Sequence, residues 1–420
     1  GCSSPAQTDF VPSPCATGVL PFDVATVLDG TLTEQRNPLI SHEKITQLAL
    51  DVIATPSVTG DERAAIDLVA SWLAPIGDEV DQWATPMGEL ERDPAYPGRE
   101  MERDIVPVVA ARIVGNRPGP TLVLTGHVDV VPIGDRGLWT RDPSGEVDGD
   151  VLYGRGAADM KAGLVAAVEA FGVLAVERNF AGEIRLVAGP GEEDGGTGTL
   201  AAIRRGWTGD LVIITEPTAD SQGLRVVVAH GGALTFSIDV SGRAAHGATR
   251  LLGESALDHF WKVHRALRDQ EAELNAVETD PIMTALGLPY PPTIGIVHGG
   301  EWASNVMERL TAEIRVGVTI HETIAEAEER FERTLRAALA GDPWLDEHPP
   351  QIARTGAAFG SSRIDLQHPL VASILEAAAT VVGAAPPTVG APYGCDMALW
   401  VREAGAPTLV FGPGDVGHAH

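Results

Sequence analysis

Cysteine is scarce in this 420-residue chain, and the three present, Cys2, Cys15 and Cys395, form no C-x-x-C pair. Neither a thiolate zinc site nor a disulfide framework can be built from them. No apolar run reaches the ~18 residues that a membrane-spanning helix needs. Positive charge is equally short: lysine is confined to Lys44, Lys161 and Lys262, and the formal net charge is -28. A field of that sign repels phosphate, which argues against nucleic acid or an anionic membrane as partner. It suits a small-molecule enzyme, or one that collects cations.

What is present describes an ordinary globular protein, 44% hydrophobic and 21% charged. Single cores stop growing near ~250 to 300 residues, so two domains are expected. Residues 1–42, rich in Ser, Thr and Pro and without periodicity, are expected to form an irregular extension. Its start, GCSSP, resembles the first residues of a mature bacterial lipoprotein acylated at Cys2. The cytoplasm is the expected location, with the cell envelope as the alternative through Cys2.

Helical periodicity covers His42 to Thr55 and Gly60 to Leu73, the second with Asp61 as its expected cap. Short, largely apolar stretches follow at Val108 to Ile113, Thr121 to Thr125, Ile184 to Ala188 and Leu211 to Thr215. Such runs suit strands buried on both faces, as in a parallel sheet under helices. A helix is expected over Met160 to Arg178 between them. The fold class is therefore α/β, a mostly parallel sheet with helices on both faces.

Midway the pattern changes. Ala233 to Val240 and Leu310 to Ile320 alternate apolar and polar residues, the mark of antiparallel strands covered on one side. Amphipathic helices at Glu254 to Leu274 and Thr323 to Leu339 can supply that cover. Residues 226–342 are read as a smaller α+β domain inserted into the first, whose parts are 43–225 and 343–420. The first domain resumes with a helix at Pro369 to Val382 and a strand at Thr408 to Phe411.

The buried-type strands run into loops bearing groups that bind metal. Thr121 to Thr125 leads to His127 and Asp129, Ile184 to Ala188 to Glu192, Glu193 and Asp194, and Leu211 to Thr215 to Glu216. Asp159 precedes the long helix, and Thr408 to Phe411 leads into the closing GPGDVGHAH. Ligands of an open parallel sheet bind beyond the carboxyl ends of its strands, so these loops should converge. Imidazole nitrogen with carboxylate oxygen is the donor set for two divalent cations of borderline hardness. Asp129, two residues from His127, can accept the second ring N–H. Of the adjacent Glu192 and Glu193, one can bind metal while the other serves as general base.

The blocks TGHVDVVP, GRGAADMKAG, PGEEDGG, ITEPT, GRAAHGA, SNVMERLTAEIR and GPGDVGHAH, in this order, resemble the M20 family of zinc-dependent hydrolases. That family includes acetylornithine deacetylase, succinyl-diaminopimelate desuccinylase, aminoacylases and glutamate carboxypeptidase. The resemblance implies two Zn2+ per chain, with Co2+ or Mn2+ as substitutes. His127, Asp159 and Glu216 would hold one, and Asp159, Glu193 and His420 the other, which leaves His418 as a loop residue. Glu192 would be the base that takes a proton from a metal-bridging water, and Asp129 the partner of His127. The insert would act as lid and dimerisation domain, with His246 stabilising the oxyanion across a homodimer, and with Asn305 and Arg315 holding substrate.

The implied activity is hydrolysis of the amide bond in an N-acyl amino acid. The alternatives are an M20-type dipeptidase or carboxypeptidase and, in a different class, a metal-dependent binding protein without catalysis. Cys395 stands where the family often has Thr or Ser, and Met307-Glu308 depart from its usual turn after the asparagine. His230 and His298, beside glycines of lid and hinge, are expected to be structural.

Overall fold

The computed structural model describes residues 41–419. Apart from Ser41 and His42, the expected N-terminal extension lies outside the described residues, as do Cys2, Cys15 and the expected ligand His420.

In chain order the elements are α1 (His42–Ala54), α2 (Arg63–Leu73), β1 (Glu79–Pro86), β2 (Ile105–Val114), β3 (Arg117–His127), β4 (Glu146–Asp148), β5 (Val151–Tyr153), α3 (Ala162–Glu177) and β6 (Ala181–Gly189). Then come α4 (Thr197–Arg205), β7 (Leu211–Ile214), β8 (Val226–His230), β9 (Gly232–Ser241), α5 (Ala256–Val277), β10 (Thr293–Gly299), β11 (Arg309–Val318) and α6 (Ile324–Leu339). The chain closes with β12 (Gln351–Phe359), β13 (Ser362–Arg363), α7 (Pro369–Val382), β14 (Thr388–Ala391), α8 (Met397–Glu403) and β15 (Thr408–Val410).

The larger sheet has the order β1-β2-β6-β3-β7-β15-β8-β13, with β14 also paired to β8. Its centre, β6-β3-β7-β15, is parallel throughout. The sheet's flanks are antiparallel except for β14, which runs parallel to β8, and Val108 to Ile113, expected from its apolar run to be a parallel-type strand, lies antiparallel to both neighbours. Burial on both faces, rather than strand direction, makes such a run apolar. Helix α1 packs on α3, while α2, α3 and α4 reach β2 and β6. Asp61 is not the cap of α2: the N-cap position is Glu62, whose carboxylate is engaged elsewhere.

The second sheet, β10-β11-β9-β12, is antiparallel throughout. Leu234, Phe236, Ile238 and Val240 of β9 pack with Leu310, Ala312, Ile314 and Val316 of β11 against Phe260, Val263 and Leu267 of α5 and Phe331 and Leu335 of α6. Helix α6 opens on a capping box, Thr323 and Glu326 each receiving the other's backbone N–H. Sheet membership carries both edges of the insert past the positions expected at 226 and 342. Strand β8 belongs to the larger sheet and β12 to the smaller, so the chain crosses at Gly231 and again between Phe359 and Ser362.

Candidate metal centre and active site

Strand register decides where the functional loops meet. His127, the last residue of β3, lies opposite Gly189 at the end of β6, and Thr125 lies opposite Ile214 at the end of β7. Val410 of β15 is level with the same Ile214. Four parallel strands thus end at one height, and their loops share the carboxyl edge. The approach is close: a Cβ on Gly163 or on Gly412 would collide with the Thr215 carbonyl oxygen. Only glycine lets α3 and the GPG turn both press on the loop that carries Glu216.

At this edge His127 Nε2 lies 3.2 Å from Asp159 Oδ1, 3.8 Å from Glu192 Oε2 and 3.9 Å from Glu216 Oε1. His127, Glu192 and Glu216 are buried, and each offers a ligand atom within 4.8 Å of the others'. The other ring nitrogen, Nδ1, faces Asp129, at 3.0 Å from its carbonyl oxygen and 3.4 Å from Oδ1. Asp129 does more than orient the ring. Its carboxylate also accepts the backbone N–H of Glu192 and of Glu193, both at 3.2 Å, and the Thr59 hydroxyl at 3.3 Å.

Burial and the mutual proximity of the acids set the electrostatics of the site. Burial pushes the Glu216 carboxyl up to about 8, with Asp159 adding to the effect. Burial and then Glu216 hold Glu192 well above the ordinary carboxylate range. Burial opposes protonation of His127, yet Asp129 and Asp159 outweigh it and raise the imidazole. Glu216 Oε1 is buried without a hydrogen-bond donor. An orphaned carboxylate oxygen facing an imidazole nitrogen, among further acids, fits a bound divalent cation.

Several supporting residues were not legible in the sequence. Lys161 is fully buried and donates to the carbonyls of Val52 at 2.8 Å and Thr55 at 3.2 Å, tying the end of α1 to the turn that carries Asp159. Arg155 donates to the Ala419 carbonyl at 2.9 Å and lies over the Trp139 ring, fixing the residue next to His420. Asp396 is buried, accepts the Thr199 hydroxyl at 2.6 Å, and is pushed up to about 6 by burial. The adjacent Cys395 is a buried free thiol. A polar residue beside GRG or PYGCD was the sole signal in the sequence, and it named no partner.

The lid residues are placed differently. His246 is exposed, accepts from the Ala248 N–H at 3.1 Å, and bridges Asn305, also exposed. Arg315, on β11, reaches the carbonyls of Pro291 at 3.4 Å and Pro392 at 3.5 Å, the latter on the larger sheet's side. His230 is buried at the first crossing, its Nδ1 on the carbonyls of Gly231 and Tyr393 and its pKa lowered to about 4 by burial.

The fold and the site define an α/β protein with a lid and an acid-rich candidate metal site at the carboxyl edge of its larger sheet. The chain belongs to Peptidase family M20/M25/M40, whose sequence model matches residues 123–420. It is similar to a succinyl-diaminopimelate desuccinylase from Methylobacterium radiotolerans, 30% identical over 380 residues, which cover 87% of this chain and 88% of that protein. It also resembles an N-formyl-4-amino-5-aminomethyl-2-methylpyrimidine deformylase from Halalkalibacterium halodurans, 28% identical over 71% of this chain and 73% of that protein. Among solved structures, a tripeptidase from Staphylococcus aureus shares the fold with a TM-score of 0.65 at 20% identity, over 89% of this chain and 90% of that one. A di-peptidase from Saccharomyces cerevisiae does so at 0.67 and 12%, over 88% of each chain. No helix among the described residues is long and apolar enough to cross a membrane.

Proposed function

We propose that this enzyme hydrolyses the amide bond of N-acyl amino acids that carry a free carboxylate, using two zinc ions. The observation that carries the reading is Arg315. Among the described residues this partly buried guanidinium makes no ion pair and touches only two carbonyls at long range, and burial alone lowers its pKa. A buried cation without an anion is costly, and a bidentate carboxylate is the partner its planar fork fits.

His127, Asp159 and Glu216 would hold one zinc, and Asp159, Glu193 and His420 the other. When bound, the metals would polarise the scissile carbonyl and make water acidic enough to attack near neutrality. Glu192 takes the proton from the attacking water and returns it to the leaving amine. Burial, and Glu216 beside it, raise its carboxyl above the ordinary carboxylate range, the direction in which a carboxylate becomes a stronger base. Asp129 holds the Glu192 and Glu193 backbones and His127 in one frame. Arg315 anchors the substrate carboxylate, Asn305, paired with His246 at the other end of β11, contributes to substrate binding, and His246, exposed on the lid, stabilises the oxyanion from the second subunit of a homodimer.

A panel of N-acetyl, N-succinyl and N-formyl amino acids and of dipeptides, assayed with zinc-loaded protein, tests the reading. Turnover of acylated amino acids with a free carboxylate, lost when that group is amidated, is expected. Turnover confined to dipeptides would favour a peptidase instead. No turnover of any amide by protein with two zincs per chain would refute both.

A further inference from the structure

The loop bearing Glu192 and Glu193 is clamped from in front by Asp129. Behind it lies a second clamp, built by residues that the proposed chemistry leaves unused. Asp194 follows the two glutamates directly, and its buried carboxylate accepts the backbone N–H of Glu100 and of Met101, and Arg103 Nη2 at 3.0 Å. Arg103 Nη1 lies 3.0 Å from Glu62 Oε1, which also accepts the Gly60 N–H at 2.7 Å. The three charged side chains are each at most 2% exposed.

The other end of the same segment rests on the lid's return path. The Pro97 carbonyl accepts the Ala358 N–H at 2.7 Å, where the register of β12 shifts between Thr355 and Ala358. A Cβ on Gly98 would stand 2.6 Å from the Gly356 carbonyl oxygen, and one on Gly356 would stand 2.7 Å from Glu100 Oε1. Both glycines have positive φ, +92° and +62°. A Cβ on Gly195, just past Asp194, would stand 2.7 Å from that of Ala357. Residues 97–103 therefore bridge the strand that leaves the lid and the catalytic loop, backbone against backbone at Pro97 and Gly98 and through the buried Arg103 and Asp194 at the other end.

We infer that Pro97 to Arg103 is a strut that positions the Glu192-Glu193 loop according to where the lid's return strand lies, with Arg103 and Asp194 as its positioning residues. The inference rests on the reading of Glu192 as base and Glu193 as metal ligand. A shift at Gly356 to Ala358 presses on Pro97 and Glu100. These carry Asp194, and Asp194 carries the two glutamates. Misplacement of reacting groups by about 1 Å costs on the order of 10²-fold in rate, so a small shift is enough to matter.

The test uses Gly356→Ala with Gly341→Ala as its control. Gly341 is also a lid glycine at positive φ, +81°, but a Cβ there meets nothing within 4 Å. Both variants strain the backbone, and only the first meets the strut, at the Glu100 side chain. Gly356→Ala should raise amide hydrogen exchange at 192–195 by about 10-fold and alter the visible absorption of the Co2+-loaded protein. On whichever amide of the panel is turned over, kcat should fall about 10-fold with KM little changed. Gly341→Ala should leave exchange, spectrum and kcat as in the parent. Two variants that behave alike would overturn the inference.

Should Gly356→Ala fail to fold, Asp194→Asn is read in the opposite direction. It keeps an acceptor for the Glu100 and Met101 N–H groups but weakens the pair with Arg103. Faster exchange at 356–358 as well as at 192–195 is expected, and a change confined to 192–195 overturns the coupling. If the parent binds no Co2+, the metal reading fails, and the exchange comparison still decides the strut.

Discussion

Glu192 and its neighbours set the terms at the scale of single residues. The Glu192→Gln variant keeps the side chain's shape and its place behind Asp129 but cannot accept a proton. Turnover should fall by roughly 10² to 10⁴-fold, the range of general-base contributions, while zinc content measured by elemental analysis stays at the parent value. Retained turnover would remove Glu192 from the base role. The same acids predict a pH dependence. In metal-free protein the fold raises the pKa of Glu192, of Glu216, to about 8, and of His127. The folded state then binds more protons than the unfolded chain, so stability falls as pH rises from the ordinary carboxylate range to about 8. A metal displaces those protons, so its binding strengthens with pH in the same window. The Tm of EDTA-treated protein should decline across this range while the Tm gain on adding zinc grows. A metal-free profile that rises with pH would contradict these protonation states.

At the scale of elements the lid depends on one aromatic contact. Phe331 of α6 stacks on Phe236 of β9, ring centroids 4.3 Å apart, and both are buried. Phe331→Ala should cost about 3 to 5 kcal/mol of stability, read by denaturant unfolding, with metal content unaffected because no proposed ligand lies on the lid. Most strands with buried faces were legible in the sequence, β3, β6 and β7 from apolar runs and β9 and β11 from alternation, while the fully buried β8 at the crossing was not. Strands β1, β10 and β12 were missed for a shared reason. Glu79–Pro86, Thr293–Gly299 and Gln351–Phe359 are largely exposed edge strands, and the last is broken by Gly356 at its bulge. Of the candidate site, His127, Asp129, Asp159, Glu192, Glu193 and Glu216 stood out in the sequence because each follows a strand end or opens a helix, and the structure gathers His127, Asp159, Glu192 and Glu216 around one imidazole. Arg103 and Asp396 were not, since their partners lie 91 and 197 residues away and no local pattern encodes such pairs.

Across the whole molecule, the proposed assembly can be argued from what the lid leaves uncovered. Strand β10 is an edge of the four-stranded sheet, with Ile296 and Val297 both exposed. Trp261 on α5, Trp302 in the β10 to β11 turn, and Leu251 and Leu252 beside His246 are exposed as well, the last two at 85% and 70%. An apolar edge strand invites pairing, and although β10 carries a bulge between Ile294 and Ile296, no charged side chain stands on it. A second copy of the lid, paired edge to edge, would cover this face and present His246 and Asn305 to the other subunit. If His246 acts across the interface, an interface variant must lose activity together with assembly. Ile296→Lys with Val297→Lys places like charges on the edge without touching a proposed metal ligand. Sedimentation should show a monomer that keeps its zinc and its lid fold, with kcat reduced by 10²-fold or more, the usual cost of losing an oxyanion contact. Mixing a His246→Ala variant with a Glu192→Gln variant separates the roles further, because only a mixed dimer of the two pairs an intact Glu192 in one subunit with an intact His246 from the other. A fully active monomer would refute both the assembly and the assignment of His246.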